Sequence, residues 1–385
     1  MHIAIDGRVI DDHFPGIGRY VYHLVEALAQ DNPADTFTLL SQAQAAQGAL
    51  GATSQGRLQL GSLTARPNLR LRRVDAPVFG LSAQWRLPAA LSRSQASLFH
   101  ATYWLTAYRP GLPSVLSLYD LIGLRQRKAV PPARRLLLWL SLRLALRNAR
   151  QVLTLSEAAR LDLQRYAGVP ADRITVTPLA ADERFRPATA EEAAHVRARY
   201  ELPARYVLYV GSNKPHKNLD TLLRAWPKVI ESTEAGEAPA ELILAGHRDV
   251  RYGPFASELR PGIRDLGAVS EVDLPALYGA ASVFAFPSLH EGFGLPALEA
   301  MACGTPVVAS DASSLPEVVG EAGRLVAPRD VRAWSHALAQ LLAQPDEAER
   351  LAALGQARAA TFSWSRTARL TRGAYERALG TGSAR

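Results

Sequence analysis

Residues 282–310, SVFAFPSLHEGFGLPALEAMACGTPVVAS, decide the fold. Ser282–Phe286 is a short apolar run stopped by Pro287, the pattern of a buried strand. Pro296 stands where the first turn of a helix accepts a proline, and Leu295–Cys303 carries that helix. Thr305–Ser310 is apolar again. A strand, a helix and a strand joined by short loops make a βαβ unit with its two strands parallel.

The alternation continues outward in both directions. Upstream, strands are expected at Tyr206–Val210, Glu241–Gly246 and Ile263–Leu266, with helices from Asn218 and over Asp273–Ala280. Downstream, helices are expected near Val331–Ala343, Glu347–Ala360 and Ser365–Leu379. The N-terminal half repeats the pattern, with strands at His2–Asp6, Thr36–Ser41, Ser97–His100, Ser114–Tyr119, Gln151–Leu155 and Ile174–Thr177. Its helices are expected over Arg19–Gln30, Pro132–Asn148 and Glu157–Tyr166. Gln42–Gly56, rich in Ala, Gln and Gly, reads as a surface loop, and GTGSAR at 380–385 as a disordered tail. Residues 180–203 are polar, Ala-rich and end in Leu-Pro, and read as the linker. The fold class is α/β: two Rossmann-like doubly wound domains over residues 1–185 and 186–364, with 365–385 as a closing helix and tail. The ligand is expected at facing strand ends, where strand order reverses.

The chain has 385 residues, which fits two or three domains, and 48% apolar against 21% charged residues excludes global disorder. The single cysteine, Cys303, excludes a disulfide framework and a Cys-rich metal site and fits a reducing compartment. The chain opens on MHIAID, a strand rather than a leader, and no apolar run reaches the ~20 residues of a membrane span. The expected location is cytoplasmic. The net charge of +8 is uneven: residues 57–150 hold 16 Arg and Lys against Asp75 and Asp120, so the rest of the chain is mildly acidic. That asymmetry points to an anionic partner. Nucleic acid is not expected, because no stacking platform or reader motif accompanies the basic segment.

Three loops carry candidate chemistry. In His290–Glu299 the backbone N–H groups of Phe293, Gly294 and Leu295 stand at a helix start and form an anion cradle. Glu291 and Glu299, eight residues apart, can accept from hydroxyls at separate points of one polyhydroxylated ligand. In Gly211–Asn218, Gly211 and Ser212 allow close backbone approach, Lys217 is placed to pair with a diphosphate, and Asn218 is a candidate N-cap. Gly16 and Gly18 follow the first strand in a loop, and their N–H groups are candidates for the same phosphate. No G-x-G-x-x-G is present, which argues against a dinucleotide. No Asp-x-Asp is present either, so no metal is expected. Lys217, Arg8 and helix dipoles are then left to neutralise a diphosphate.

On these residues the chain resembles a known family. HEGFGLPALEAMACGTPVVAS at 290–310 resembles the E-x7-E block of retaining glycosyltransferases of family 4, and GSNKPHKNLDTLLRAW at 211–226 is similar to their phosphate-binding loop. IDGRVIDDHFPGIGRYVYHL at 5–24 and FSWSRTARLTRGAYERAL at 362–379 resemble the opening and closing segments. The pattern is most similar to the mannosyl- and rhamnosyltransferases of bacterial surface polysaccharide synthesis. The resemblance implies a GT-B fold, a nucleotide-sugar donor with a GDP-sugar favoured, no metal and no separate cofactor, and retention of anomeric configuration. It implies that Glu291 binds donor sugar hydroxyls, Glu299 the ribose, and Phe293, Gly294 and Leu295 the sugar and phosphates. Lys217 would stabilise the leaving diphosphate, Val269 and Glu271 would flank the base, and the closing helix would cross back onto the first domain. Two positions depart from the family. Tyr119-Asp120 stands where the branch has His-Asp, and His216 where the phosphate loop usually has Arg.

The acceptor is expected to be a growing glycan, lipid-pyrophosphate-linked, with Tyr119, Asp120 and His100 near it. Leu136–Leu146, LLLWLSLRLAL, is apolar nearly all round and flanked by Arg134, Arg135, Arg147 and Arg150. It reads as a buried helix or as a helix docked peripherally on the anionic inner face of a membrane. A sugar-nucleotide epimerase and a non-catalytic nucleotide-sugar-binding protein are the competing functions.

Overall fold

A computed structural model describes residues 1–10, 15–42, 63, 65–122, 132–233, 239–252 and 261–380. The expected loop at 43–56 and tail at 381–385 lie outside the described residues. The chain divides into two units, Met1–Leu179 with Ser363–Arg385, and Ala180–Phe362.

In the first unit, described residues form a seven-stranded, wholly parallel sheet. Its strands are β1 His2–Asp6, β2 Thr36–Ser41, β3 Leu69–Arg73, β4 Leu98–Ala101, β5 Ser114–Ser117, β6 Ala149–Thr154 and β7 Ile174–Val176. The order β3-β2-β1-β4-β5-β6-β7 reverses between β1 and β4. Central strands are buried on both faces, hence the near-continuous apolar runs of HIAID and TFTLLS. The edge strand β3, LRLRR, alternates leucine with arginine and was not expected from its apolar content.

Pro132–Asn148 is one helix. Leu142, Ala145 and Leu146 are buried in the core, while Leu136 and Leu137 are 62% and 63% exposed and Leu140 and Leu144 also face outward. The segment is therefore buried along one side only. Among the described residues no helix is long and apolar enough to cross a membrane. The last helix, Trp364–Leu379, is N-capped by Ser363 and packs on the helix Pro15–Asp31 of the same unit. Arg372 Nε donates to Asp35 Oδ2 at 2.8 Å, and Arg150 Nη1 to the Ala378 carbonyl at 2.8 Å.

The second unit holds six parallel strands among its described residues: β8 Tyr206–Val210, β9 Glu241–Ala245, β10 Ile263–Gly267, β11 Val283–Phe286, β12 Val307–Ser310 and β13 Arg324–Val326. The order β10-β9-β8-β11-β12-β13 reverses between β8 and β11. Trp226 and Trp334 fill the core over one face, from the helices Leu219–Thr233 and Val331–Ala343. The segment expected as a linker contains a helix, Ala190–Arg199. It is nucleated by a capping box: Thr189 Oγ1 accepts from the Glu192 N–H, and Glu192 Oε2 accepts from the Thr189 N–H at 2.8 Å.

Candidate active site

Strand order reverses between β8 and β11, so the loops after these two strands stand side by side at the carboxyl end of the second unit's sheet, the position where open α/β sheets bind ligands. The β8 loop runs into a short turn, Pro215–Lys217, and the helix Leu219–Thr233. The β11 loop runs into the helix Leu295–Ala302. The loops are stitched together, since the Leu289 N–H donates to the His216 carbonyl at 2.7 Å and Asn218 Nδ2 to the Pro287 carbonyl at 2.9 Å. Asn218 holds the expected N-cap position, directly before Leu219, but its side chain bonds the Thr221 hydroxyl and the facing loop rather than a backbone N–H of the first turn. Its Oδ1 accepts from the Thr221 hydroxyl at 3.0 Å, and its backbone takes φ +55°, which Asn tolerates better than most residues.

These two loops bring Lys217 and Glu291 together: Lys217 Nζ donates to Glu291 Oε1 at 2.7 Å. The side chains are 17% and 11% exposed. Lys217 Nζ also lies 5.3 Å from the Phe286 ring centroid, within cation–π range. The Glu291 backbone is clamped by Ser313, whose hydroxyl donates to the Glu291 carbonyl at 2.8 Å and accepts from its N–H at 3.3 Å. Ser313 sits at φ +57°, an unfavourable region for serine, which marks the contact as enforced by its surroundings. Ser314 Oγ donates to the Phe293 carbonyl at 2.7 Å. Sequence reasoning missed both serines; Ser-Ser after a strand is common loop composition and carried no signal.

Gly294 closes the loop at φ +105°, where a Cβ would meet Leu315 Cδ2 at 2.5 Å. Only glycine fits there, and the helix from Leu295 therefore starts with its first N–H groups unpaired within the helix. Gly246, at φ +128°, is equally constrained, since a Cβ there would strike the Gly211 backbone, and a Cβ on Gly211 would meet the Tyr209 hydroxyl at 2.7 Å. Arg248 Nη1 donates to the Gly211 carbonyl at 3.1 Å, and Tyr209 donates to the Ser212 carbonyl at 2.8 Å. His216 is held neutral, its pKa lowered to about 4 by burial and then by the Lys217 charge. It adds no cation at neutral pH.

The remaining expected residues are placed differently. Glu299 is 2% exposed, and its Oε2 accepts from the Tyr278 hydroxyl at 3.2 Å. The Glu271 carboxylate accepts from Arg184 Nη2 at 2.7 Å, and its backbone carbonyl from Nη1 at 3.2 Å. Val269, two residues earlier, is part-buried.

In the first unit several expectations are corrected. Gly16 and Gly18 lie in the first turn of the helix Pro15–Asp31, not in a loop before it. Pro15 starts that helix because its missing N–H is not needed there. Arg8 is not a free cation: its Nε and Nη2 donate to Asp6 Oδ1 and Oδ2 at 2.8 and 2.7 Å, and Nη1 donates to the Ala76 carbonyl at 2.9 Å. His100, expected near the acceptor, is fully buried, with Nδ1 2.7 Å from the Tyr375 hydroxyl and Nε2 2.8 Å from Ser117 Oγ. Burial pulls its pKa down to about 3. A ring saturated with protein partners has nothing to offer an acceptor. Tyr119 is part-buried, donates to the Thr102 carbonyl at 2.5 Å and stacks edge-on against Tyr20. Burial, then the neighbouring Tyr20, holds its hydroxyl protonated well above the usual tyrosine range. Asp120 Oδ1 accepts from the Ile122 N–H at 2.8 Å and fixes the turn after β5.

Two doubly wound units, the second with a cation and a carboxylate at its switch point, define the GT-B architecture. Residues 204–344 match the family described as glycosyl transferases group 1, and residues 15–180 the glycosyl transferase 4-like domain. The chain is 41% identical over 242 residues to O-antigen chain mannosyltransferase B of Escherichia coli, covering 61% of this chain and 63% of that one, so it spans less than two thirds of that relative. It is 32% identical over 358 residues to D-inositol 3-phosphate glycosyltransferase of Thermobispora bispora, covering 82% and 79%. Sucrose-phosphate synthase from Thermosynechococcus elongatus has the same fold, with a TM-score of 0.74 over 99% of this chain and 100% of that one at 24% identity. The chain belongs to the family 4 group of GT-B glycosyltransferases.

Proposed function

We propose that the protein is a metal-independent, retaining mannosyltransferase that moves mannose from GDP-mannose to a growing glycan of a bacterial surface polysaccharide. The observation that carries the reading is the Lys217–Glu291 pair at the second unit's switch point. Family membership supports sugar transfer, and the similarity to an O-antigen mannosyltransferase supports mannose over other hexoses. Lys217 and the N–H groups of Phe293, Gly294 and Leu295 hold the donor diphosphate and stabilise its charge as it departs. Glu291 accepts from donor sugar hydroxyls and fixes the sugar's orientation. Gly211 and Ser212 let the phosphates approach the backbone, Glu299 is assigned to the ribose, and Val269 and Glu271 to the base. The departing β-phosphate takes the acceptor proton on the face where the new bond forms, which gives retention without a protein nucleophile. The first unit takes the acceptor, with Tyr119 and Asp120 at its β5 turn.

The acceptor is proposed to be linked through pyrophosphate to a lipid, with the protein peripheral on the cytoplasmic face of the membrane. The outward leucines of Pro132–Asn148, followed by exposed Arg143 and Arg147, support that placement because apolar insertion and anionic attraction act on one helix side. Sedimentation with phosphatidylglycerol vesicles tests it: binding that falls when Leu136 and Leu137 are both changed to Ser is expected, and no binding at low salt contradicts it.

Transfer from GDP-mannose to a mannan-type acceptor tests the activity. Glu291→Ala is expected to lose at least ~100-fold in turnover. Near-normal transfer by Glu291→Ala removes the site assignment, and transfer only from UDP-, ADP- or dTDP-sugars removes the GDP-mannose reading.

A further inference from the structure

Lys217 and Glu291, the two groups the proposed function assigns to phosphate and sugar, are bonded to each other. Both are mostly shielded from water, and the Glu291 backbone is held on both its N–H and its carbonyl by Ser313. The Glu291 backbone therefore stays in place when the cation leaves, and its carboxylate remains near the phosphate site. A diphosphate that takes Lys217 leaves Glu291 ionised, poorly hydrated and close to a second anion, a costly arrangement. An intact nucleotide-sugar brings its own remedy, because the sugar hydroxyls donate to the carboxylate in place of the ammonium. A spent nucleoside diphosphate brings none.

We infer that Glu291 makes the site discriminate between intact donor and spent nucleotide, by recapturing Lys217 as soon as the sugar has gone. The inference rests on the donor-site reading above and adds a second job for Glu291: it weakens product binding and speeds product release. The Phe286 ring beside Lys217 Nζ keeps the lysine positioned when the carboxylate is replaced, so a neutral isostere at 291 leaves a preformed phosphate cation.

Calorimetric titration of wild type and Glu291→Gln with GDP, UDP, ADP and dTDP tests this, with thermal unfolding run alongside to confirm that both proteins are folded. At least one nucleoside diphosphate is expected to bind Glu291→Gln on the order of tenfold tighter than wild type. Lys217→Met should abolish that gain in the double variant. A simple loss of structure at Glu291 would instead weaken every ligand. Equal or weaker binding to Glu291→Gln, or no binding to either protein, overturns the inference. Transfer is read separately: tighter nucleotide binding by Glu291→Gln in a protein whose wild type transfers no mannose leaves the discrimination standing and removes the mannosyltransferase reading.

Discussion

The two units share a strand order at their centres, yet they treat the same pair of charges in opposite ways. Each sheet reverses direction beside its first strand, between β1 and β4 in one and between β8 and β11 in the other. Each reversal carries a cation–carboxylate pair at 2.7 Å, Arg8–Asp6 in the first unit and Lys217–Glu291 in the second. The first pair is sealed. Both of its side chains are buried, the guanidinium fork is spent on one carboxylate and a carbonyl, and a neighbouring histidine is closed off by Ser117 and Tyr375. The second pair is monodentate and still touches water. Topology supplies a place for a ligand twice; the loops decide which place is left exchangeable. An ion pair that can part is a binding site, and one that cannot is part of the core.

The contrast can be broken most directly at Arg8. Arg8→Ala strands a buried carboxylate and is expected to lower stability by about 3–5 kcal/mol in urea denaturation; a loss under about 1 kcal/mol would show that the first pair is not structural. Lys217→Ala should do the reverse. Turnover should fall roughly 10²–10³-fold, as when one electrostatic donor to a developing anion is lost, while the stability loss stays below that of Arg8→Ala, because the Lys217–Glu291 pair still touches water. A large stability loss with retained turnover would invert the assignment of the two sites.

His100 sharpens the same point through pH. Its folded pKa of about 3 lies below the usual ~6.5, so the unfolded chain binds more protons between those values. Stability from its neutral form is complete above pH 6.5 and is lost as pH falls. Between pH 6.5 and pH 5 wild type should lose about 1.5 kcal/mol more than His100→Gln; parallel pH profiles would contradict a sealed, neutral ring. The smallest effect is expected at Gly294→Ala, about 1–2 kcal/mol from positive φ and contact with Leu315, with weaker nucleotide binding as the loop shifts. Unchanged binding would detach that loop from the phosphate site.

Much of this was legible in the sequence because the signals were local. Apolar runs such as YVLYV and VFAF announced the central strands, and the two loops that meet at the switch point stood out by their glycine, lysine and glutamate content. Elements whose reason is not apolar content escaped. β3 is an arginine-rich edge and β13 has three residues. The helix Ala190–Arg199 was passed over although its Thr-x-x-Glu box was readable, because its alanine and charge content resembles a linker. Long-range partnership was not legible at all. Nothing near Glu271 points to Arg184, 87 residues away, and nothing near His100 points to Tyr375. The candidacies of Arg8 and His100 were overturned for that reason: charge and residue type are local, but saturation by partners is a property of the fold.

A crystal structure of the protein with GDP-mannose tests the central claim most directly. The account predicts Lys217 Nζ within hydrogen-bond distance of a diphosphate oxygen, parted from Glu291, with the carboxylate turned to mannose hydroxyls and the phosphates over the N–H groups of Phe293–Leu295. A donor bound elsewhere, with the Lys217–Glu291 bond intact at its 2.7 Å, would contradict it.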